Sequence, residues 1–473
     1  MFPLLRTARL CLSRLVLAPS LALAAASAAV AAEDFGSAPP FKSGDTVCFV
    51  GDSITHGGTY HSIVMLYYAT RFPDRAIRSF NCGIGGDRAS GIMSDEKFRL
   101  NVDILGHKPT AATIMLGMND LGHGDYLAPG RDAPDVEKKR ERSLEIYDAS
   151  MQKLIAALQK SGARVTLITP SIYDETTKLE SARKEIALGA NGALGKCAEK
   201  AHAWAKRYGT GIANFHECMN AINAREQAKN PAFTIVGPDR VHPGPVGHFV
   251  MAYVLLRAQG VPREVATIVI DAKKGKAGAV VNCTIGDVKA GPANVNFDCT
   301  EKALPLVVPD DAKAALALVP FTKELNEEKL VVSGLEPGSY ELKIDDRAVG
   351  DYSAADLAAG VNLSENDKTP QFQQSAAATK INKQRTDVGL QLRGIAVQLY
   401  SLSKSKIDVS DPQAVEQELS KRVAAGKPAD VRVKAALEAY QNRGKLAADY
   451  DALAVKLREA CQPKPHHFTL TKK

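Results

Sequence analysis

The sequence predicts an α/β fold: a three-layer α/β/α sandwich on a doubly wound parallel sheet, then a small antiparallel β-unit and a helical C-terminal region. Two observations carry this. From residue 45 to about 260, short continuous apolar runs alternate with longer amphipathic stretches. Beyond about 261 the texture changes to short β-like runs and then to polar helical patterns. The apolar runs are "TVCFVG" (46–51), "AIRSFNC" (76–82), "AATIMLG" (111–117), "RVTLITP" (164–170) and "GIANFH" (211–216). Runs without polar alternation suit strands buried on both faces, as in a parallel sheet. Between them, 61–72, 136–160 and 181–209 read as helices, the second with apolar residues at 144, 147, 151, 154, 155 and 158. That spacing lays one stripe along a helix. Right-handed crossovers then favour a flavodoxin-like arrangement, with ligands bound beyond the carboxyl ends of the strands.

The first 32 residues read as an export signal. Arg6, Arg9 and Arg14 precede an apolar, alanine-rich stretch over 15–30, and Ala29-Val30-Ala31 offers a small-residue cleavage site before Glu33 and Asp34. The run falls short of the roughly 20 residues a bilayer span needs and contains Pro19. A periplasmic or extracellular mature chain is therefore expected, with no stable membrane insertion. Removing those three arginines lowers the formal charge from +7 to +4, too weak to argue for a nucleic-acid partner. The remaining divisions are an α/β region at 33–262, a β-rich unit at 263–370 and a helical region at 371–473, in which "HHFTLTK" reads as a last strand returning to the β-unit. The Glu/Lys-rich faces of those helices read as solvated surface, and no chemistry is visible in this half.

Eight cysteines include Cys11 in the leader, and the odd seven that remain imply at least one free thiol. Cys48 and Cys82 lie in apolar strands and read as buried thiols. Cys283 and Cys299 flank "GDVKAGPANV"; a hairpin centred near Gly291 would set them opposite each other, so a cross-strand disulfide is expected there. No CxxC pair or HExxH occurs, and neither a metal nor an organic cofactor is expected.

Four polar segments sit at or near the carboxyl ends of predicted strands: "GDSITHGG", "NCGIGGDR", "GMNDLG" and "PDRVHPGPVGH". Ser53 at a strand-to-helix junction, taken by itself, reads first as a helix cap. Acyl transfer would ask more of it, because a hydroxyl is a weak nucleophile until a base takes its proton. His242 is the natural base, and Asp239, three residues earlier, can accept its Nδ1–H and hold the tautomer. The Ser53 and Gly86 amides and the Asn119 side chain supply donors for an oxyanion. Each residue alone has an ordinary turn or cap reading. All of them together, in order, at one sheet edge, argue for a site. Asp52, His56, Tyr60, Asp87, His123 and Tyr126 are candidate substrate contacts on the same loops.

The ordered blocks "GDSIT", "NCGIGGD", "GMND" and "DRVHP" resemble those of the SGNH hydrolases, also called GDSL esterases and lipases. The resemblance covers about residues 44–260. It implies Ser53 as nucleophile, Gly86 and Asn119 completing the oxyanion hole with the Ser53 amide, and His242 with Asp239 completing a triad. Ile54-Thr55 stands where Leu-Ser is commoner in the first block. The implied activity is an exported serine esterase acting on short O-acyl esters, especially O-acetyl groups on polysaccharide. A lipolytic esterase, lysophospholipase or thioesterase would use the same residues. A carbohydrate-binding or envelope scaffold with an inert α/β unit is the rival from another class.

Overall fold

In the computed structural model, which describes residues 34–425 and 430–473, the apolar runs form one six-stranded sheet. Its strands are β1 (Gly36–Ser37), β2 (Thr46–Gly51), β3 (Arg78–Gly83), β4 (Ala111–Met115), β5 (Arg164–Ile168) and β6 (Gly211–Ala213), in the order β1-β6-β5-β4-β2-β3. The five from β2 to β6 are parallel, and their order is that of a flavodoxin-like doubly wound sheet. β1 adds an antiparallel edge; with only two residues it offers no pattern to read. The expected leader lies outside the described residues.

Helices α1 (Ser53–His56), α2 (Thr59–Arg71), α3 (Ala89–Ser94), α4 (Val136–Lys160), α5 (Ala190–Tyr208), α6 (Phe215–Gln227) and α7 (Pro245–Ala258) connect and cover these strands. Alternation along β2 explains the layers: Val47 and Phe49 enter one core with α2, α6 and α7, while Cys48 and Val50 enter the other with α4 and α5. α7 opens with Pro245 and is buried without a break from Gly247 to Leu256, as a helix apolar all round should be. α5 starts nine residues later than the sequence pattern suggests. Gly189, in the left-handed region at φ +88°, begins it, and 181–189 is a loop whose Arg183 amide bonds the Pro238 carbonyl at 2.7 Å. Register sets the functional rim. Gly51 pairs with both Gly83 and Met115, so β2, β3 and β4 end level and the loops after them share one edge.

The second half adds β7 (Glu264–Asp271), β8 (Lys276–Ala277), β9 (Cys283–Gly291), β10 (Asn294–Glu301), β11 (Glu327–Ser333), β12 (Ser339–Ile344), β13 (Arg347–Ser353), β14 (Val361–Asn362) and β15 (Pro465–Lys472). They form a five-stranded sheet, β13-β12-β15-β10-β9, and a four-stranded one, β14-β11-β7-β8. β15 is the strand legible in "HHFTLTK", and it sits at the centre of its antiparallel sheet, where Phe468 stacks on Phe297 at 4.9 Å. The β-unit is antiparallel as expected, apart from one pairing in which β7 and β11 run parallel. The hairpin expected to bring Cys283 and Cys299 together does form. The hairpin turns at Pro292 and Ala293, later than Gly291, and a bulge lies between Asn296 and Asp298. Cys283 pairs with Glu301 and Cys299 with Ile285, so the two cysteines are diagonal neighbours across the hairpin, their buried thiols interacting directly but unbonded.

The last helices are α8 (Phe321–Leu325), α9 (Ala354–Ala359), α10 (Pro370–Lys404), α11 (Pro412–Ala424), α12 (Asp430–Gln441) and α13 (Arg443–Ala460). α10 opens with Pro370 at its first turn, and the Thr369 hydroxyl accepts from the Phe372 amide. At 35 residues it is about 50 Å long and reaches back across the edge of β3. Arg385 donates to Ser79 Oγ at 2.7 Å, and Arg393 donates to both Asp103 oxygens at 2.7 Å. Burial works against the charge of Asp103, yet Arg393 and Arg99 hold its carboxyl below the usual range. At the other end of α10, Gln371 donates to Glu301 at 3.0 Å. Burial raises Glu301 to about 7, and Glu328 beside it is raised well above the ordinary value by burial and by Glu301 itself. No helix among the described residues is long and apolar enough to cross a membrane.

Candidate active site

The cap-or-nucleophile question at "GDS" is answered by Asp52. Its carboxylate accepts from the Ile54 amide at 3.0 Å and caps α1, leaving the hydroxyl of Ser53 with other work. Ser53 Oγ lies 2.7 Å from His242 Nε2. On the far side of the imidazole, Nδ1 lies 2.5 Å from Asp239 Oδ2. A carboxylate can only accept there, so Nδ1 carries the proton and Nε2 is left to accept from the Ser53 hydroxyl. Asp239 Oδ1 is engaged by the amides of Val241 at 3.1 Å and His242 at 2.9 Å. Burial opposes its charge, but these bonds keep its carboxyl below the ordinary range.

The loop bearing Asp239 and His242 is pinned from behind. The Gly237 amide donates to the His242 carbonyl at 2.6 Å. Arg240, at φ +70°, is buried, and its guanidinium donates to the carbonyls of Asp174 and Arg183, each at 2.8 Å. A non-glycine residue in the left-handed region costs roughly 1–2 kcal/mol. Those carbonyl contacts offset it.

Gly86 sits at φ +77°, a conformation glycine adopts without strain, and its exposed amide has no partner among the described residues. Asn119 donates one amide hydrogen to the Asp87 carbonyl at 3.1 Å, which fixes the side-chain plane and leaves a second N–H. Asp120 ties the two loops together, accepting from Ala89 at 2.8 Å and Gly117 at 3.1 Å, and burial pushes its carboxyl up to about 7. Gly83, which reads as a plain turn glycine, has a stricter task. A Cβ there would lie 2.3 Å from the His56 amide nitrogen, so α1 can seat on β3 only because the side chain is missing.

Of the six candidate substrate contacts, two reach open space. His56 lines a cleft of about 800 Å³ in front of Ser53. Burial, with Arg393 and Arg432 nearby, lowers it to about 4, so the ring is neutral. Its Nδ1 accepts from the Gly85 amide at 3.3 Å, which puts its proton on Nε2. His123 lines a second, polar cavity of about 430 Å³ beside Asn119. The other four are corrected. Asp52 is buried as the cap, and Asp87 is buried against Arg99 at 2.9 Å. Tyr60 is fully enclosed beside Thr55, and Tyr126 is buried under the Arg140 guanidinium. Each lies in or near one of the polar blocks, and burial takes its side chain inward. The sequence reading missed the opposite wall, where Leu390, Gly394 and Val397 of α10 and Ala435 of α12 face the cleft. No motif announces such residues, although 390, 394 and 397 do share one helix face.

A hydroxyl bonded to an imidazole that is itself bonded to a carboxylate, beside unengaged N–H donors, is equipped for acyl transfer. No group of three or more His, Cys, Asp or Glu residues that could hold a metal occurs among the described residues. Fold, site and relatives together define a carboxylic ester hydrolase. The GDSL-like lipase/acylhydrolase family model matches residues 49–249. An acetylxylan esterase of Geobacillus stearothermophilus is 26% identical over 239 residues, 46% of this chain and 95% of that protein. The solved structure of a gut microbial diltiazem-metabolizing enzyme superposes with a TM-score of 0.83 at 32% identity, covering 93% of this chain and all of that one. The chain belongs to the GDSL-like lipase/acylhydrolase family, the SGNH hydrolases.

Proposed function

We propose that this chain is an exported serine esterase that removes short O-acyl groups, O-acetyl above all, from carbohydrate. Ser53 Oγ attacks the ester carbonyl carbon as its proton passes to His242 Nε2. The carbonyl oxygen becomes an oxyanion held by the amides of Ser53 and Gly86 and by Asn119. Asp239 stabilises the imidazolium without taking its proton. Collapse of the intermediate expels the alcohol, which receives the proton from His242, and leaves an acyl-Ser53. Water then attacks this ester with His242 again as base, releasing the acid and restoring the serine.

The 2.7 Å contact between Ser53 Oγ and His242 Nε2 carries this reading. Similarity to an acetylxylan esterase supports a short acyl group on a sugar, and the arginine-led apolar start of the sequence supports export. Acetate release from a panel of acetylated polysaccharides, with Ser53→Ala as control, tests it. Release by the wild type and none above background by the variant is expected. Full release by Ser53→Ala would place the activity elsewhere.

The apolar side of the cleft favours a second reading, a lipolytic esterase or thioesterase with the same residues. p-Nitrophenyl esters from acetate to octanoate separate the two. A fall with acyl length supports the short-acyl reading, and a steady rise supports the lipolytic one.

A further inference from the structure

The long C-terminal helices stand directly in front of Ser53. The cleft of about 800 Å³ has Ser53, His56 and His242 on one side and, on the other, Leu390, Gly394 and Val397 of α10 and Ala435 of α12, with Gln391, Gln398 and Arg432 beside them. Residues 390, 394 and 397 follow the spacing of one helix face. That face is held in place by strong contacts on its flanks: Arg393 on Asp103, Tyr400 on the Gly91 carbonyl at 3.2 Å and Asn382 on Ser62 Oγ at 3.0 Å. Holding an apolar face open to water is unfavourable unless something covers it. Its neighbour identifies the occupant. His242 delivers its proton to the leaving oxygen, so the alcohol half of the ester must lie on the imidazole side of Ser53, and His242 lines this same cleft.

We propose that α10 and α12 form a specificity wall selecting esters whose alcohol half is a compact body with an apolar face, seated on Leu390, Val397 and Ala435. An acetylated sugar bearing an apolar aglycone is the carbohydrate form of that class. Gly394 makes the room. A Cβ built there meets nothing within 4 Å, so this point of the wall has room for a side chain. Glycine is otherwise a poor choice within a 35-residue helix. The proposal rests on Ser53 acting as the nucleophile.

The test compares ethyl acetate with 2-(1-naphthyl)ethyl acetate, whose leaving alcohols are both primary and differ mainly in apolar bulk. For the wild type, kcat/KM for the naphthyl ester is expected to exceed that for ethyl acetate by at least about 10-fold, expressed mainly in KM, from burial of the ring system. Gly394→Phe and, independently, Ala435→Phe should each cut that ratio by about 10-fold or more. Gly394→Ala should cut it less, and thermal melts check that each variant folds. A wild-type ratio near one, or a ratio unmoved by both phenylalanine variants, overturns the proposal while leaving the nucleophile intact. Absence of both esterase activity and fluorophosphonate labelling in the wild type overturns the underlying assignment of Ser53, and this proposal with it.

Discussion

The two walls of the cleft are built on different principles. The sheet-side wall is polar and over-determined. Ser53 is aimed by the Asp52-capped turn, His242 by Asp239, and Asp239 by two backbone amides. The wall from α10 and α12 meets the cleft with Leu390, Val397 and Ala435 set among Gln391, Gln398 and Arg432, and its anchoring bonds, such as Arg393 to Asp103, lie on flanking faces. Chemistry demands particular atoms at particular distances, whereas shape can be met by many apolar residues. Variants on the sheet side should therefore change rate by orders of magnitude, and those on the helical side should change preference and stability.

The largest effects sharpen the contrast. Ser53→Ala or His242→Ala is expected to lower kcat by about 10⁶-fold, and Asp239→Asn by about 10⁴-fold, measured as acetate release. Asn119→Ala should lower kcat by roughly 10²–10³-fold with KM little changed, because the donor is used only as the oxyanion forms. A KM effect of similar size would instead make Asn119 a ground-state binding residue.

Arg393→Met tests the helical wall. Removing one partner of a buried ion pair should destabilise the fold by about 3–5 kcal/mol in denaturant titration. The naphthyl-to-ethyl preference should fall further than ethyl acetate turnover does. Equal loss on both substrates would mean that α10 supports the sheet-side machinery rather than the preference.

The smallest expected effect concerns pH. Burial raises Glu301 to about 7 in the folded chain, against about 4.3 for an ordinary glutamate. The fold thus holds the protonated form. This contribution is complete below the unfolded value and is lost as pH rises through about 7. Relative to Glu301→Gln, the wild-type melting temperature should fall as pH rises from 5 to 8. An unchanged slope would show that the carboxyl is ionised when folded.

Legibility in the sequence follows the same division. Strands β2, β4 and β5 are readable because burial on both faces leaves continuous apolar runs, and the four polar blocks are readable because they interrupt that texture near strand ends. Tyr60 and Tyr126 misled, since an aromatic in a loop near a site reads the same whether it faces outward or, as here, inward. α5 was read nine residues too long because helical composition continues through a loop that docks on Pro238. The role of α10 was invisible: Leu390, Gly394 and Val397 acquire meaning only when Arg393 and Asp103, far apart in the chain, bring that face to Ser53.

The most direct measurement is reaction of the intact chain with a fluorophosphonate, followed by intact mass and peptide mapping. A single adduct on Ser53, absent in Ser53→Ala and formed far more slowly in His242→Ala, is the predicted result. An adduct on another residue, or labelling of Ser53→Ala at the wild-type rate, would contradict the assignment of Ser53 as the nucleophile.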